Sequence, residues 1–120
     1  MTTWITVCDT CKRDGWLQGE TDGEKLAAAI EAVAESVDTV KTRRASCTMG
    51  CKRACNVTLQ AEGKLAYTLG EFEADADTAE AIVEYAQLHA QSETGQVPYR
   101  QWPQGVKGHF VTRMMPLPSE

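Results

Sequence analysis

With 120 residues, 42% hydrophobic and 24% charged, the chain is long enough for one ordinary core and too short for two. That composition excludes a disordered chain, and the net charge of −5 excludes a general phosphate-backbone binder, which needs an excess of cations. No apolar run approaches the roughly 20 residues of a membrane helix. Met1-Thr2-Thr3-Trp4 lacks the basic region of a signal peptide, so a cytoplasmic protein without nucleic-acid or membrane partners is expected.

In chain order, Thr3 to Val7 is β-branched and aromatic, predicting a strand that delivers Cys8 at its end. Asp9 to Glu20 is polar, with Gly15 and Gly19, and reads as a loop. Thr21-Asp22-Gly23-Glu24 has the Thr-x-x-Glu capping pattern. Leu26, Ile30, Val33, Ala34 and Val37 then recur at helical spacing to about Val37. Thr39 to Ser46 predicts a second strand ending at Cys47, and Met49 to Cys55 a loop. Asn56 to Ala61 and Leu65 to Leu69 predict a hairpin about Glu62-Gly63-Lys64. Asp77-x-x-Glu80 predicts the cap of a second helix to about Gln91, with Gly95 ending it. The last 26 residues hold all four prolines and show no periodicity. The order predicts an α/β class: a small mixed sheet with a right-handed βαβ unit, a hairpin and a C-terminal helix.

The five cysteines carry the chemistry. An odd number cannot all pair, and an intracellular chain keeps its thiols reduced. They fall in two clusters, Cys8-x2-Cys11 and, 35 residues later, Cys47-x3-Cys51-x3-Cys55. A βαβ crossover sets its two strands side by side, so the loops after them emerge at one end of the sheet. Four thiolates meeting on two loops form the ligand set of a 2Fe–2S cluster or of a tetrahedral zinc. Cys8-x2-Cys11 fits a zinc knuckle, and Cys-x3-Cys fits one less well. Acids crowd the stretches from Asp9 to Asp38 and from Glu62 to Glu93. Between them, the window from Val40 to Arg53 carries Lys41, Arg43, Arg44, Lys52 and Arg53 and no acid. Lys12, Arg13, Lys52 and Arg53, each beside a candidate ligand, would offset the negative charge of a thiolate cluster. A thioredoxin-type dithiol on Cys8 and Cys11 is the third alternative, and the late helix cap at Thr21 counts against it.

The strand-ending cysteine, a second close behind, a gap of 35 and then Cys-x3-Cys resemble the thioredoxin-like 2Fe–2S ferredoxins and the related flavin-partner subunit of respiratory complex I. Within that superfamily the chain is most similar to a bacterial and cyanobacterial family of predicted metal-binding proteins. Its shared pieces are Val7-Cys8-Asp9-Thr10-Cys11, Cys47-x3-Cys51-Lys52-Arg53-Ala54-Cys55, Gly63-Lys64-x-x-Tyr67 and Gly95-x-Val97-Pro98-Tyr99-Arg100. The resemblance covers nearly the whole chain. It implies a thioredoxin-like fold, one 2Fe–2S cluster and one-electron transfer in place of enzymatic turnover, with an association to cobalamin and other tetrapyrrole pathways. Carried over by position, the ligands are Cys8, Cys11, Cys47 and Cys51, with Cys55 a substitute for Cys51 or a packed thiol. The first pair is more narrowly spaced than in the ferredoxins, which keeps zinc as the alternative metal.

The organisation expected is one iron–sulfur domain over residues 1–95 and a Pro-containing tail over 96–120, packed on it or extending from it. A redox partner is expected to dock near Lys12, Arg13, Lys52 and Arg53, and a homodimer is compatible with the sequence. The remaining residues have plain roles. Trp4 is expected in the core, His89 as a surface or boundary side chain of the second helix and His109 in the tail. Trp16, Tyr99 and Trp102 are expected to fold loops and tail onto the domain, with partner docking as the alternative.

Overall fold

The computed structural model describes residues 2–13, 15–46 and 54–118. A five-stranded sheet is ordered β2-β1-β3-β4-β5, from β1 (Thr3–Cys8), β2 (Val40–Ala45), β3 (Val57–Gln60), β4 (Ala66–Leu69) and β5 (Phe110–Met114). β1 and β2 are parallel and every other pairing is antiparallel. The sheet is therefore mixed, with the βαβ unit at one edge, as the pattern of strands and helices predicted.

Alternation along the strands sends Thr3, Ile5 and Val7 with Val57, Leu59, Tyr67 and Leu69 into the core. Over that face pack α1 (Asp22–Ala34) and α2 (Ala76–Gln91), which also touch each other. Leu26, Ala27 and Ile30 of α1 and Ala79, Ile82, Val83 and Ala86 of α2 complete the core. Among the described residues no helix packs on the sheet's other face. There Arg43 donates from Nε to Thr6 Oγ1 at 2.7 Å and from Nη2 to Gln60 Oε1 at 3.1 Å. Trp4 belongs to this face and is 40% exposed with Lys41 over its ring, so it is not the core residue that its apolar neighbours suggested. Period-2 alternation from Ile5 puts it outside.

The Thr21 capping box is present in full, both hydrogen bonds made. α1 stops three residues short of the predicted Val37, whose N–H already closes a turn on the Ala34 carbonyl. α2 begins earlier than predicted. Its cap is Asp75, whose carboxylate accepts from the Thr78 N–H at 2.8 Å, and Asp77 lies inside the first turn. The C-terminal residues contain a strand that aperiodic, proline-rich sequence concealed. After two short 3-10 turns, β5 pairs with β4 through a bulge at Thr68/Leu69 and becomes the sheet's edge. Val97 and Val106 are buried on the way, and Trp102 stacks on Phe110 at 4.4 Å, folding this segment down as expected of Trp102.

His89 is fully buried, where its position in a mostly polar helix end predicts the surface or its boundary. Its Nε2 donates to the Leu65 carbonyl at 2.7 Å, so Nδ1 accepts from the Thr3 hydroxyl at 2.8 Å and the ring is held neutral. Gly95, at φ +86, lies where a Cβ would come within 2.8 Å of that Nε2. Burial lowers the His89 pKa from 6.5, and the nearby Lys64 ammonium adds to the effect, while the Leu65 hydrogen bond opposes it. The unfolded chain therefore binds this proton more readily, and stability should be complete above pH 6.5 and fall as pH drops below it. Melting temperature measured from pH 7.5 to 5 checks this. His89→Gln should flatten the slope in that window, and an unchanged slope would assign it to other groups.

Candidate metal centre

The site is built at the C-terminal end of β1. Cys8 closes that strand, with its N–H donating to the Asn56 carbonyl at 3.3 Å, and it is fully buried. The following loop is fastened to the first turn of α1 at three points. Thr21 Oγ1 donates to the Asp9 carbonyl, the Gly23 N–H donates to the Cys11 carbonyl at 2.9 Å, and the Arg13 N–H donates to Asp22 Oδ2 at 2.7 Å. The Gly23 bond uses an N–H that a helix start otherwise leaves without a partner, and together the three bonds fix Cys11 beneath the helix N-terminus. Gly23 makes the approach possible, since a Cβ there would stand 2.1 Å from the Cys8 carbonyl oxygen.

Cys8, Cys11 and Cys55 are buried thiols. Cys8 Sγ is hydrogen-bonded with the Thr10 hydroxyl at 3.5 Å, and Asn56 Nδ2 donates to Cys11 Sγ at 3.2 Å. Burial pushes the Cys11 thiol up to about 12; the contact with Cys8 adds to this, and hydrogen bonding from Asn56 works against it. Cys55 arrives from the other side. It exchanges both backbone hydrogen bonds with Phe72, each 3.2 Å, continuing the β3–β4 pairing past the strand ends. Its thiol is pushed up to about 11 by burial and then by the Asp22 carboxylate, with Arg13 opposing.

Cys47, Cys51, Lys52 and Arg53 lie outside the described residues. The chain on either side of them is described, and both flanks border the first pair. In the parallel register Cys8 is opposite Ala45, Asp9 donates to the Ala45 carbonyl at 3.0 Å, and the Thr10 hydroxyl donates to the carbonyl of Ser46. On the far flank, Asn56 holds both Cys8 and Cys11. Among the described residues no three of His, Cys, Asp and Glu are close enough to share a metal ion. Neither histidine joins the site: His89 is held by Thr3 and Leu65, and His109 stacks on Phe72 and bonds the Gly70 carbonyl at 2.8 Å.

The donor chemistry suits a thiophilic metal. A buried sulfur such as that of Cys11, shielded from water, holds its proton unless a cation takes the proton's place. Lys12 and Arg13 lie at the rim. Lys12 sits 4.4 Å over the Trp16 ring, and Arg13 Nη1 donates to the Glu71 carbonyl at 3.1 Å. Asn56 and Gly23 were missed as site residues in the sequence. A buried amide beside a cysteine and a glycine inside a cap acquire meaning only once the loop is seen against the helix.

Compared with solved structures, the fold is similar to a thioredoxin-like 2Fe–2S ferredoxin from Aquifex aeolicus, at a TM-score of 0.60 and 15% identity, covering 96% of this chain and 94% of that one. The chain thus has the thioredoxin-like α/β fold. No curated protein matches it in sequence. The family model described as "Protein of unknown function (DUF1636)" matches residues 5–116, and the chain belongs to that family. No helix among the described residues is long and apolar enough to cross a membrane.

Proposed function

We propose that this protein carries single electrons on a 2Fe–2S cluster held by Cys8 and Cys11 with Cys47 and Cys51. The observation that supports it best is the meeting of chain segments at the end of β1. Ser46, one residue before Cys47, is bonded to Thr10, between Cys8 and Cys11. When bound, the cluster supplies a one-electron couple. The chain's own residues hold two of the four thiolates on a strand end fastened to α1, exclude water from them, and direct the Asn56 N–H at the Cys11 sulfur. Hydrogen bonds to sulfur and positive charge at the rim both favour the reduced, more negative state. Burial also weighs against dithiol catalysis, because an attacking thiol must be reachable and poised as thiolate.

Protein produced with an intact iron–sulfur supply and purified without oxygen tests the reading. Expected are charge-transfer bands in the visible, iron and sulfide in equal amounts, and a paramagnetic signal after one-electron reduction. Stoichiometric zinc with no iron or sulfide would replace the proposal with a zinc protein.

The proposed partner docks over Lys12 and Arg13, with Lys52 and Arg53 beside the second ligand pair. A local positive rim on a chain of net charge −5 suits a partner with an acidic rim. Lys52→Glu with Arg53→Glu should slow electron transfer at low salt and leave the visible spectrum unchanged. The difference should shrink as the Debye length falls from about 30 Å at 0.01 M to about 8 Å at 0.15 M. A rate loss that persists at high salt, with a shifted potential, would mean that these cations tune the cluster and do not steer the partner.

A further inference from the structure

A second site lies between α2 and the β5 edge. Tyr67 of β4, Trp102, and Phe110, Val111, Thr112 and Arg113 of β5 line an open cavity of about 290 Å³. Its walls are flat and aromatic: Trp102 stacks on Phe110 at 4.4 Å, and Phe110 stands edge-on to Tyr67 at 5.5 Å. The Arg113 guanidinium lies 5.7 Å from the Tyr67 ring centre. Strand register explains this, because Arg113 pairs with Tyr67 and so lies on the same side of the sheet. Among the described residues the only ion pair is Arg44 with Glu31, so the charge of Arg113 is not met by a carboxylate there.

Behind these walls is Tyr85 of α2, fully buried and in edge contact with Tyr67, Trp102 and Phe110 at 6.3, 6.1 and 5.3 Å. Its hydroxyl is the one buried side-chain polar atom among the described residues without a hydrogen-bond partner. Leaving a buried hydroxyl without a partner is unfavourable, and apolar packing alone would be served better by phenylalanine. All three rings that Tyr85 touches line the cavity, so this side chain packs directly against the cavity wall.

We infer that this cavity binds a small planar aromatic carboxylate: the ring lies against Trp102 and Phe110, Arg113 meets the carboxylate, and the Tyr85 hydroxyl donates to an acceptor on the ligand. Each part of the ligand follows from a wall. A flat apolar body matches aromatic faces, which favour offset stacking. A guanidinium pairs a planar carboxylate through two parallel hydrogen bonds. The volume, at the lower end of the range for small-molecule pockets, limits the ligand to one or two rings. None of these residues belongs to the cysteine site, so the inference stands apart from the cluster proposal.

The test uses the full chain with 1-naphthoate and its neutral isostere 1-naphthamide as probes. Binding is followed by titration calorimetry and by the Trp102 indole N–H resonance, a reporter held by its bond to the Val97 carbonyl at 2.8 Å. The acid is expected to bind with one-to-one stoichiometry, to move that resonance, and to bind at least about tenfold more tightly than the amide. Arg113→Gln should abolish the preference for the acid. Tyr85→Phe keeps the ring, so it should fold, should melt no lower than the parent chain, and should weaken the acid by about tenfold. No saturable binding of the acid at millimolar concentration, equal affinity for acid and amide, or undiminished affinity in Tyr85→Phe would each overturn the inference. Binding that leaves the Trp102 resonance unmoved would place the ligand elsewhere and overturn it equally.

Discussion

Replacing Cys8 or Cys11 by serine is expected to leave a folded chain that no longer retains iron. The backbone bonds that place the pair involve main-chain atoms of Cys8, Asp9, Cys11 and Arg13 and survive either change. At Cys11 a serine oxygen can still accept from Asn56 Nδ2, so the cost in fold stability is small. The cost in metal retention is not small. Loss of a supporting residue around a metal lowers affinity by ~10–100-fold, and loss of a ligand should exceed that.

Cys55→Ser should behave in the opposite way. In the proposed ligand set of Cys8, Cys11, Cys47 and Cys51 its sulfur is not a ligand, so the visible spectrum should persist. A hydroxyl placed in this fully buried position should still lower stability by about 1–3 kcal/mol. Iron content and melting temperature measured together separate the two effects. Loss of iron in Cys55→Ser with retention in Cys51→Ser would make Cys55 the fourth ligand.

What was legible in the sequence followed from local rules. Thr21 and Glu24 announced a capping box because both partners lie within one turn. The β1–α1–β2 unit was legible because its period switches from 2 to 3.6 and back, and with it came the meeting of strand ends that brings Ser46 to Thr10. Trp4 lies outside despite its hydrophobicity because alternation from Ile5 sets its face. β5 was invisible for a different reason. Phe110-Val111-Thr112-Arg113-Met114 is an edge strand with a bulge, exposed over most of its length, so no alternation marks it. It is a strand because β4 offers a free edge. The burial of His89 has no local signature because it depends on Thr3 and Leu65, one in β1 and one in the hairpin.

The site was legible in its residue types and not in its supports. Cysteine spacing identified the donors, whereas Asn56, Gly23 and Phe72 contribute through backbone contacts or one amide and carry no signature by themselves. Chemistry is written in side chains that few other roles would use. Support can be given by any residue of suitable size and polarity.

Gly23→Ala is expected to damage fold and site together. Two opposing effects fall at this position. Alanine favours a helix over glycine by about 1 kcal/mol, which alone would make the variant more stable. The new methyl, however, would stand 2.1 Å from the Cys8 carbonyl oxygen and about 3 Å from Asp9 backbone atoms. Neither neighbour is the end of a flexible side chain, so relief requires the helix start or the strand end to move. Overpacking against backbone costs about 1–3 kcal/mol or more, and here it outweighs the helix preference. Moving apart also lengthens the Gly23 N–H bond to the Cys11 carbonyl, which fixes the second cysteine. The expected result is a melting temperature lowered by several degrees and a fall in iron content, in a variant that touches no thiol. Lys25→Ala, at an exposed position in the same turn region of α1, should change neither. A Gly23→Ala chain as stable as its parent and fully loaded with iron would show that α1 does not set the position of the cysteine pair.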